Sequence, residues 1–443
     1  MQNIYVKDGA YMNKSKKTPK VSVIVPMYNC AILLPAFFQD MENQTLRNFE
    51  LICVIDGATD NTLEVVKQHS SKSDKIRYFY KEENEGAGFA RNYGLTYARG
   101  EYVMWIDADD RYSPNLLAEM VYTADKFSAD EVLCLCKSHD YLLNTIKENI
   151  GFFADAFPEN TCVNPAKISN LFQKMGSGPT NKLYRLSFVK ENHLSYSNTM
   201  VANDVKFIYS AISVAKRVVG IHKHLITFER NINPDSITSN REKYSEQIFI
   251  ATSELYVWLK ERNLFERYRN TFLLMFKTAF LYNAEFGVNS KYIEAAVKTL
   301  NVEEPWINIS SEEIGKLFGQ SFDTKKIKED ITKLEEECSA NKDEKAPNPL
   351  VRIKKLKSRL EIIALCKTFS IIRYNRDFDE YKTIQLENQL ESTKQQLNNM
   401  KQQLNNMKQQ LSREKSSWNY KIGSMITWLP KKIYYSFKWC FKQ

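Results

Sequence analysis

The sequence predicts an α/β fold with a mainly parallel central sheet, and three observations lead to this prediction. Four apolar, β-rich runs follow one another within residues 21–106, segments with helical spacing of apolar residues separate them, and each run ends in small, polar or acidic residues. Strands that alternate with amphipathic helices form parallel sheets with right-handed crossovers. Because ligands of such sheets bind at the carboxyl ends of the strands, the four ends are candidate parts of one binding site.

The first two runs end in turn-forming residues. The first, residues 21–25, is followed by a Pro-Met-Tyr-Asn sequence that begins at Pro26 and contains Tyr28. The second, residues 50–55, is followed by Asp56 and a Gly-Ala-Thr-Asp sequence. This pattern indicates a turn and then the start of a helix.

The third run, residues 76–80, precedes a glycine-rich segment at residues 84–94 that contains Asn84 and Arg91. The glycine spacing matches neither the dinucleotide-binding fingerprint nor a P-loop, so a nicotinamide or ATP site is not expected. Arg91 is either a surface charge or a ligand of a diphosphate. We favour the second interpretation because a guanidinium forms bidentate, charge-assisted hydrogen bonds with such groups.

The fourth run, residues 101–106, leads into an Asp-Ala-Asp-Asp sequence at residues 107–110. Residues i and i+2 of an extended segment point the same way, so Asp107 and Asp109 can present oxygens to one hard cation. Mg²⁺ or Mn²⁺ suits such ligands. A Ser-Pro pair at residues 113–114 then indicates the N-cap and the first residue of a helix.

These motifs, in this order and at this spacing, resemble glycosyltransferase family 2, a family of inverting enzymes with a GT-A fold. The family pattern is Pro-x-Tyr-Asn, Asp-Asp-Gly-Ser-Thr-Asp, Asn-x-Gly followed by Ala-Arg-Asn-x-Gly, and Asp-x-Asp-Asp. Ile55 and Ala58 depart from the second motif, whereas its second Asp, which in the family holds the nucleotide base, is present as Asp56. The resemblance implies a nucleotide-sugar donor bound by Pro26, Tyr28, Asp56, Asn84, Arg91 and Asp107, and a metal ion bound by Asp107 and Asp109.

Inverting transfer also needs a carboxylate that accepts the proton of the attacking hydroxyl, on the face of the sugar opposite the leaving group. Asp204 is the candidate, because it opens a predicted amphipathic helix and matches the Asp of the family's Glu-Asp motif. The Glu of that motif is replaced by Asn203. The alternative is that Asp204 only caps its helix, as Asp commonly does.

Further candidates come from segments that resemble the same family. Asn181 lies in an Asn-Lys-Leu-Tyr sequence and is expected on the acceptor side. Arg230 and Ser236 lie in a segment that resembles a mobile loop over the donor diphosphate, and both are expected to bind the donor. His222 or His224 could complete the metal site, although structural roles are favoured for them.

The chain of 443 residues has room for several parts. We predict a polar N-terminal extension (1–20), a GT-A catalytic domain (21–240), a helical region (241–320), a charged linker and basic helix (321–383), a coiled coil (384–415) and a basic aromatic tail (416–443). A repeated Lys-Gln-Gln-Leu-Asn-Asn-Met heptad supports the coiled coil and a homo-oligomer. A single long helix or a disordered tail is the alternative.

The tail, residues 416–443, combines lysines with aromatic side chains and has no acidic residue. This composition is typical of a helix in an anionic membrane interface. Docking on the catalytic domain is an alternative, and nucleic-acid binding is disfavoured. No signal peptide and no apolar run of about 18 residues is visible, which predicts a cytoplasmic enzyme, peripheral on the inner face of the bacterial cell membrane.

The predicted function is transfer of a sugar, from a UDP-sugar by preference, to a hydroxyl of a bacterial surface glycan or lipid-linked glycan, such as capsule, lipopolysaccharide, teichoic acid or exopolysaccharide. A nucleotidyltransferase would need a basic, glycine-rich signature near the first strand, and none is present. A non-catalytic scaffold built on a degenerate transferase domain is the other alternative. The presence of Asp107, Asp109 and Asp204 argues against it.

Overall fold

The computed structural model describes residues 5–6, 18–141, 145–230 and 241–284, together with Ala295 and Thr332. The strands are β1 (Tyr5–Val6), β2 (Val21–Met27), β3 (Phe49–Asp56), β4 (Ile76–Lys81), β5 (Tyr102–Trp105), β6 (Arg111–Tyr112), β7 (Glu131–Asp140), β8 (Thr145–Ile150), β9 (Cys162–Val163), β10 (Lys182–Arg185) and β11 (Val218–Arg230). The helices are α1 (Leu34–Glu42), α2 (Thr62–Lys72), α3 (Ala87–Thr96), α4 (Leu116–Phe127), α5 (Leu186–Glu191), α6 (Asp204–Val214), α7 (Gln247–Glu261) and α8 (Phe265–Ala284). Short 3₁₀ turns lie at Pro165–Lys167, Leu171–Gln173 and Arg241–Tyr244. Apart from Thr332, the predicted linker and basic helix lie outside the described residues, as do the predicted coiled coil, the predicted tail and Ser236.

The four predicted strands form the parallel core of one sheet, which confirms the predicted fold class. Strands β4, β3, β2 and β5 lie side by side in parallel, with Ile24 opposite both Ile52 and Trp105. The full order is β1-β4-β3-β2-β5-β10-β7-β11-β6, with β8 paired to β7 and β9 to β11. Strand β10 lies antiparallel between β5 and β7, so the half of the sheet beyond β5 is mixed rather than parallel.

Both faces of the sheet are covered by helices, because alternate residues of the central strands point to opposite sides. Residues such as Ile24 and Trp105 lie on the face covered by α3 and α6, and α7 and α8 extend the same core beyond α6. Residues such as Val23 and Met104 pack against α1, α2 and α4. None of the described helices is long and apolar enough to cross a membrane.

A buried aromatic cluster supports the part of the sheet edge where the candidate site lies. The ring centroid of Trp105 is 4.8 Å from that of Phe207 and 5.3 Å from that of Tyr196, and the last two rings stack at 4.4 Å. Such aromatic packing adds stability beyond the burial of apolar area. Trp105 ends β5 two residues before Asp107, and Phe207 lies in the first turn of α6, so the cluster fixes these two elements relative to each other.

The helix after the acidic sequence begins later than predicted. Helix α4 starts at Leu116, not at the Ser-Pro pair. The main chain of Ser113 is used elsewhere: its amide donates to the carbonyl of Leu225, and its carbonyl accepts from the Gln44 side chain and from the amide of Leu116. These bonds form a turn that joins the sheet edge to α1 and β11, and the helix starts only after it.

Candidate active site

A cavity of about 770 Å³ lies at the carboxyl ends of β2, β3 and β5. Most of the residues predicted to act on substrates line it: Pro26, Tyr28, Asp56, Asn84, Arg91, Asp107, Asp109, Asn181, Asp204 and Arg230. The structure therefore brings the predicted donor residues and the predicted base to one cavity. These residues lie far apart in the sequence, from Pro26 to Arg230, and the folding of the sheet and α6 brings them together.

The acidic sequence forms a turn rather than the extended segment that the prediction assumed, because β5 ends at Trp105 and residues 108–109 lie in the turn. The turn gathers a third carboxylate, so that Asp107, Asp109 and Asp110 each offer one oxygen within 4.8 Å of the others. Tyr112 fixes the turn, since its hydroxyl accepts from the amide of Asp107 at 3.0 Å and donates to the carbonyl of Asp107 at 2.6 Å.

The electrostatics of these carboxylates favour a bound cation. Burial, followed by the negative charge of Asp107, raises the pKa of Asp109 to about 6. Burial, followed by the negative charges of Asp109 and Asp107, raises the pKa of Asp110 well above its usual value. Close carboxylates resist simultaneous ionisation unless positive charge is nearby. Three oxygen donors at this spacing fit Mg²⁺ or Mn²⁺, so the residues present suit the predicted metal.

Arg91 is buried beside this acidic turn. Its guanidinium donates to Asp107 at 2.8 Å and to the Asn203 side chain at 2.6 Å, and it lies 5.4 Å from the ring centroid of Tyr196. Burial lowers the pKa of Arg91, but Asp107, Tyr196 and Asp204 together outweigh it, so the pKa is raised. In this arrangement Arg91 orients a candidate metal ligand. Its contact with a diphosphate stays a prediction.

Asp56 ties the end of β3 to the loop before α3. Its carboxylate accepts hydrogen bonds from the amides of Glu85 and Gly86, the latter at 2.6 Å, and Asn84 also accepts from the amide of Gly86. Burial raises the pKa of Asp56, and these amide donors oppose the change. Gly57 permits the close approach, because it has a φ of 69° and a Cβ there would lie 2.4 Å from the amide nitrogen of Asn84.

Gly88 permits a second close approach, between α3 and the loop that precedes Asp204. A Cβ at Gly88 would lie 2.0 Å from the carbonyl oxygen of Ser197 and 2.9 Å from Cβ of Asn203. We therefore expect Gly88→Ala to lower the free energy of unfolding by about 1–3 kcal/mol, as overpacking typically does. Denaturant unfolding of the two proteins measures the difference.

Gly178→Ala is the matched control, because no atom lies within 4 Å of the Cβ position and its φ is not positive. It should leave the unfolding midpoint close to that of the unchanged protein. Equal midpoints for the two variants would show that the loop before Asp204 yields to the methyl group at little cost.

Asp204 is the first residue of α6 and lines the cavity. The N-cap position belongs to Asn203, whose side chain makes no capping bond and instead accepts from Arg91. As a carboxylate in the first turn, Asp204 benefits from the helix dipole. Its charge acts on Arg91 and on Lys182, which places the predicted base within the field of both cations.

Asn181, predicted on the acceptor side, lines the cavity but uses both ends of its amide within the protein. Its Nδ2 donates to the carbonyl of Cys134 at 2.8 Å, and its Oδ1 accepts from Lys182 at 2.7 Å. Lys182 also donates to the carbonyl of Gly178. Asn181 and Lys182 therefore hold the 176–181 loop in place.

Arg230 ends β11, lines the cavity and acts electrostatically on Asp109 and Asp110. The histidines lie apart from these carboxylates. His222 bonds to the carbonyl of Phe157 at 2.9 Å, and His224 bonds to Asn149 at 2.9 Å. The structural interpretation of both histidines agrees with this placement.

Sequence reasoning missed three residues of the site. Asp110 carried a signal, since it is the last acid of the Asp-x-Asp-Asp sequence. Lys182 also carried one, as the neighbour of Asn181 in its motif. No sequence signal marked Asn203 as a partner of Arg91, because the two residues are 112 positions apart.

Comparisons with known proteins agree with this picture. Residues 22–192 match the family model of glycosyl transferase family 2. The glycosyltransferase EpsH of Bacillus subtilis is 28% identical over 281 residues, 60% of this chain and 78% of that protein. A poly(ribitol-phosphate) beta-glucosyltransferase of Bacillus spizizenii is 27% identical over 203 residues, 45% of this chain and 30% of that protein.

A solved structure shares the fold. The crystal structure of S. aureus TarS 1–349 in complex with UDP matches with a TM-score of 0.51 at 20% identity, and the match covers 79% of this chain and 91% of that one. The fold and the matched sequence define the chain as a glycosyltransferase with a GT-A-like domain. The similarity to glycosyltransferase family 2 lies in residues 22–192.

Proposed function

We propose that the chain moves a sugar, with inversion, from a nucleotide-sugar donor to a hydroxyl of a bacterial surface glycan, and that UDP-sugars are the first donors to test. One observation carries this proposal. The carboxylates at the strand ends and the candidate base Asp204 line the same cavity. One bacterial relative is named a poly(ribitol-phosphate) beta-glucosyltransferase, and this name supports a hydroxyl-bearing polymer as the acceptor class.

The acidic turn and two arginines are assigned to the donor in this proposal. Asp107, Asp109 and Asp110 would hold Mg²⁺ or Mn²⁺. When bound, that cation supplies positive charge to the departing diphosphate. On the chain itself, Arg91 keeps Asp107 oriented, and Arg230 adds positive charge on the donor side.

Asp204 performs the proton transfer in this proposal. As the acceptor oxygen attacks the sugar carbon, its proton passes to the carboxylate of Asp204, while the bond between the sugar and the diphosphate breaks. A positioned carboxylate contributes about 10²- to 10⁴-fold to such a step. Asp204 lies at the start of α6 and lines the same cavity as the acidic turn, which makes its carboxylate available to a hydroxyl bound there.

The test is nucleotide release from a panel of UDP-, GDP- and CDP-sugars by the full chain, with Mn²⁺ or Mg²⁺ and with water as the accepting hydroxyl. Release from one donor that a chelator abolishes supports the proposal and identifies the nucleotide. Release that is unaffected by chelation would contradict the metal assignment. No release from any donor, with or without cell-envelope extract as acceptor, would favour the scaffold alternative.

We also propose, from sequence alone, that residues 384–415 form a homo-oligomer and that residues 416–443 bind the anionic inner face of the cell membrane from the cytoplasm. Sedimentation with phosphatidylglycerol vesicles tests the second part. The full chain should sediment with them and a chain without residues 416–443 should not. Equal sedimentation of both would refute membrane attachment by the tail.

A further inference from the structure

The cavity extends beyond the donor edge onto the helices that follow the matched family domain. Helices α7 and α8 supply six of its lining residues: Ile248, Met275, Thr278, Ala279, Tyr282 and Asn283. The members at 275, 278, 279 and 282 have the spacing of one helix face. One side of α8 is therefore turned toward the cavity that contains Asp204.

We call the cavity-facing side of α7 and α8 the wall. Hydrogen bonds connect it to the rest of the site, including the loop that precedes Asp204. The amide of Met200, four residues before Asp204, donates to the side chain of Gln247 at 2.6 Å, and Gln247 is the first residue of α7. On the other side, Thr271 of α8 accepts from the amide of Phe172 at 2.7 Å. A group that rests on the wall is thus held at a fixed position relative to Asp204.

The chemistry of the wall differs from that of the donor side. All six of its residues are uncharged. Among the described lining residues the cations are Arg91 and Arg230, and both act on the carboxylates of the acidic turn. Among the described lining residues, none on the wall carries a positive charge that could pair with a phosphate group. Ile248, Met275 and Ala279 offer apolar contacts, and Thr278 and Asn283 add a few polar groups, a mixture typical of sites for uncharged ligands.

We propose that the wall of α7 and α8 binds the acceptor, and that the acceptor unit held there is an uncharged glycoside. This inference rests on the proposed function, which it deepens by naming the class of unit next to the reacting hydroxyl. It assigns a substrate role to helices that lie beyond the 22–192 family match.

The experiment uses the full chain with Mn²⁺ and the donor identified above. The probes are octyl β-glycosides of glucose, galactose and N-acetylglucosamine, below their micelle concentrations, with octyl phosphate as the charged counterpart. Two readouts are taken: the change in donor consumption, and binding of each probe by calorimetry in the presence of UDP. We expect at least one glycoside to bind, and to change donor consumption, at a concentration about tenfold lower than octyl phosphate does.

Two variants test the location. Thr278→Lys places a charge on the wall at an exposed position, so the fold should tolerate it. Leu274→Lys is the matched control, since Leu274 is exposed one turn earlier on α8 and does not line the cavity. Thr278→Lys should raise the effective glycoside concentration about tenfold, whereas Leu274→Lys should leave it unchanged.

Several outcomes would overturn the inference. These are equal or stronger action of octyl phosphate on the unchanged protein, no action of any probe, and equal responses of the two variants. If the chain consumed no nucleotide sugar, the proposed function would fail separately, and the calorimetric comparison would still decide what the wall binds.

Discussion

Asp204→Asn should reduce sugar transfer by about 10²- to 10⁴-fold while donor binding changes by less than about twofold. The amide has the size of the carboxylate but cannot accept the proton of the attacking hydroxyl. The loss should apply equally to hydrolysis, because water then supplies the hydroxyl. Steady-state rates of nucleotide release and equilibrium binding of UDP measure the two quantities.

A second acidic residue controls for the helix-dipole effect of Asp204. Glu64 lies in the first turn of α2 and does not line the cavity. Glu64→Gln removes the same kind of charge from a helix start, so its effect on stability should resemble that of Asp204→Asn and its rate should stay normal. Full activity in Asp204→Asn would show that another group accepts the proton.

The donor edge of the site could be predicted from sequence because its signals are local. Each strand and the polar residues after it are adjacent in the chain, and β2, β3, β4 and β5 lie where their apolar runs predicted. In a parallel sheet, strand ends of this kind converge without any further information. Asp56 and Asp107 therefore reach the cavity as expected.

The remaining features depend on contacts between distant segments. Arg91 meets Asn203 only because α3 packs against the loop before α6, with Gly88 allowing the approach. Asp110 joins Asp107 and Asp109 because the segment turns, and strand periodicity cannot reveal that. The antiparallel placement of β10 and the wall of α7 and α8 likewise arise from tertiary packing, which no local pattern in a single sequence encodes.

Asp109→Asn, or removal of divalent metal, should lower the rate of donor cleavage by about 100-fold or more, the scale associated with loss of charge stabilisation in a transition state. The variant should also bind Mn²⁺ more weakly, because one of three clustered carboxylates is lost.

Since the pKa of Asp109 is raised to about 6, protons compete with the metal below that pH. Mn²⁺ affinity of the unchanged protein should therefore rise between pH 5 and pH 7, values chosen to lie about one unit either side of that pKa.

Asp155→Asn is the control for Asp109→Asn, since Asp155 is an exposed carboxylate, paired with Lys174 outside the cavity lining. It should keep both Mn²⁺ affinity and rate. Titration of Mn²⁺ by electron paramagnetic resonance separates metal loss from catalytic loss, because it needs no substrate. Unchanged affinity in Asp109→Asn with a reduced rate would assign Asp109 to the donor rather than the metal, whereas loss of both would assign Asp109 to the metal that supports donor cleavage.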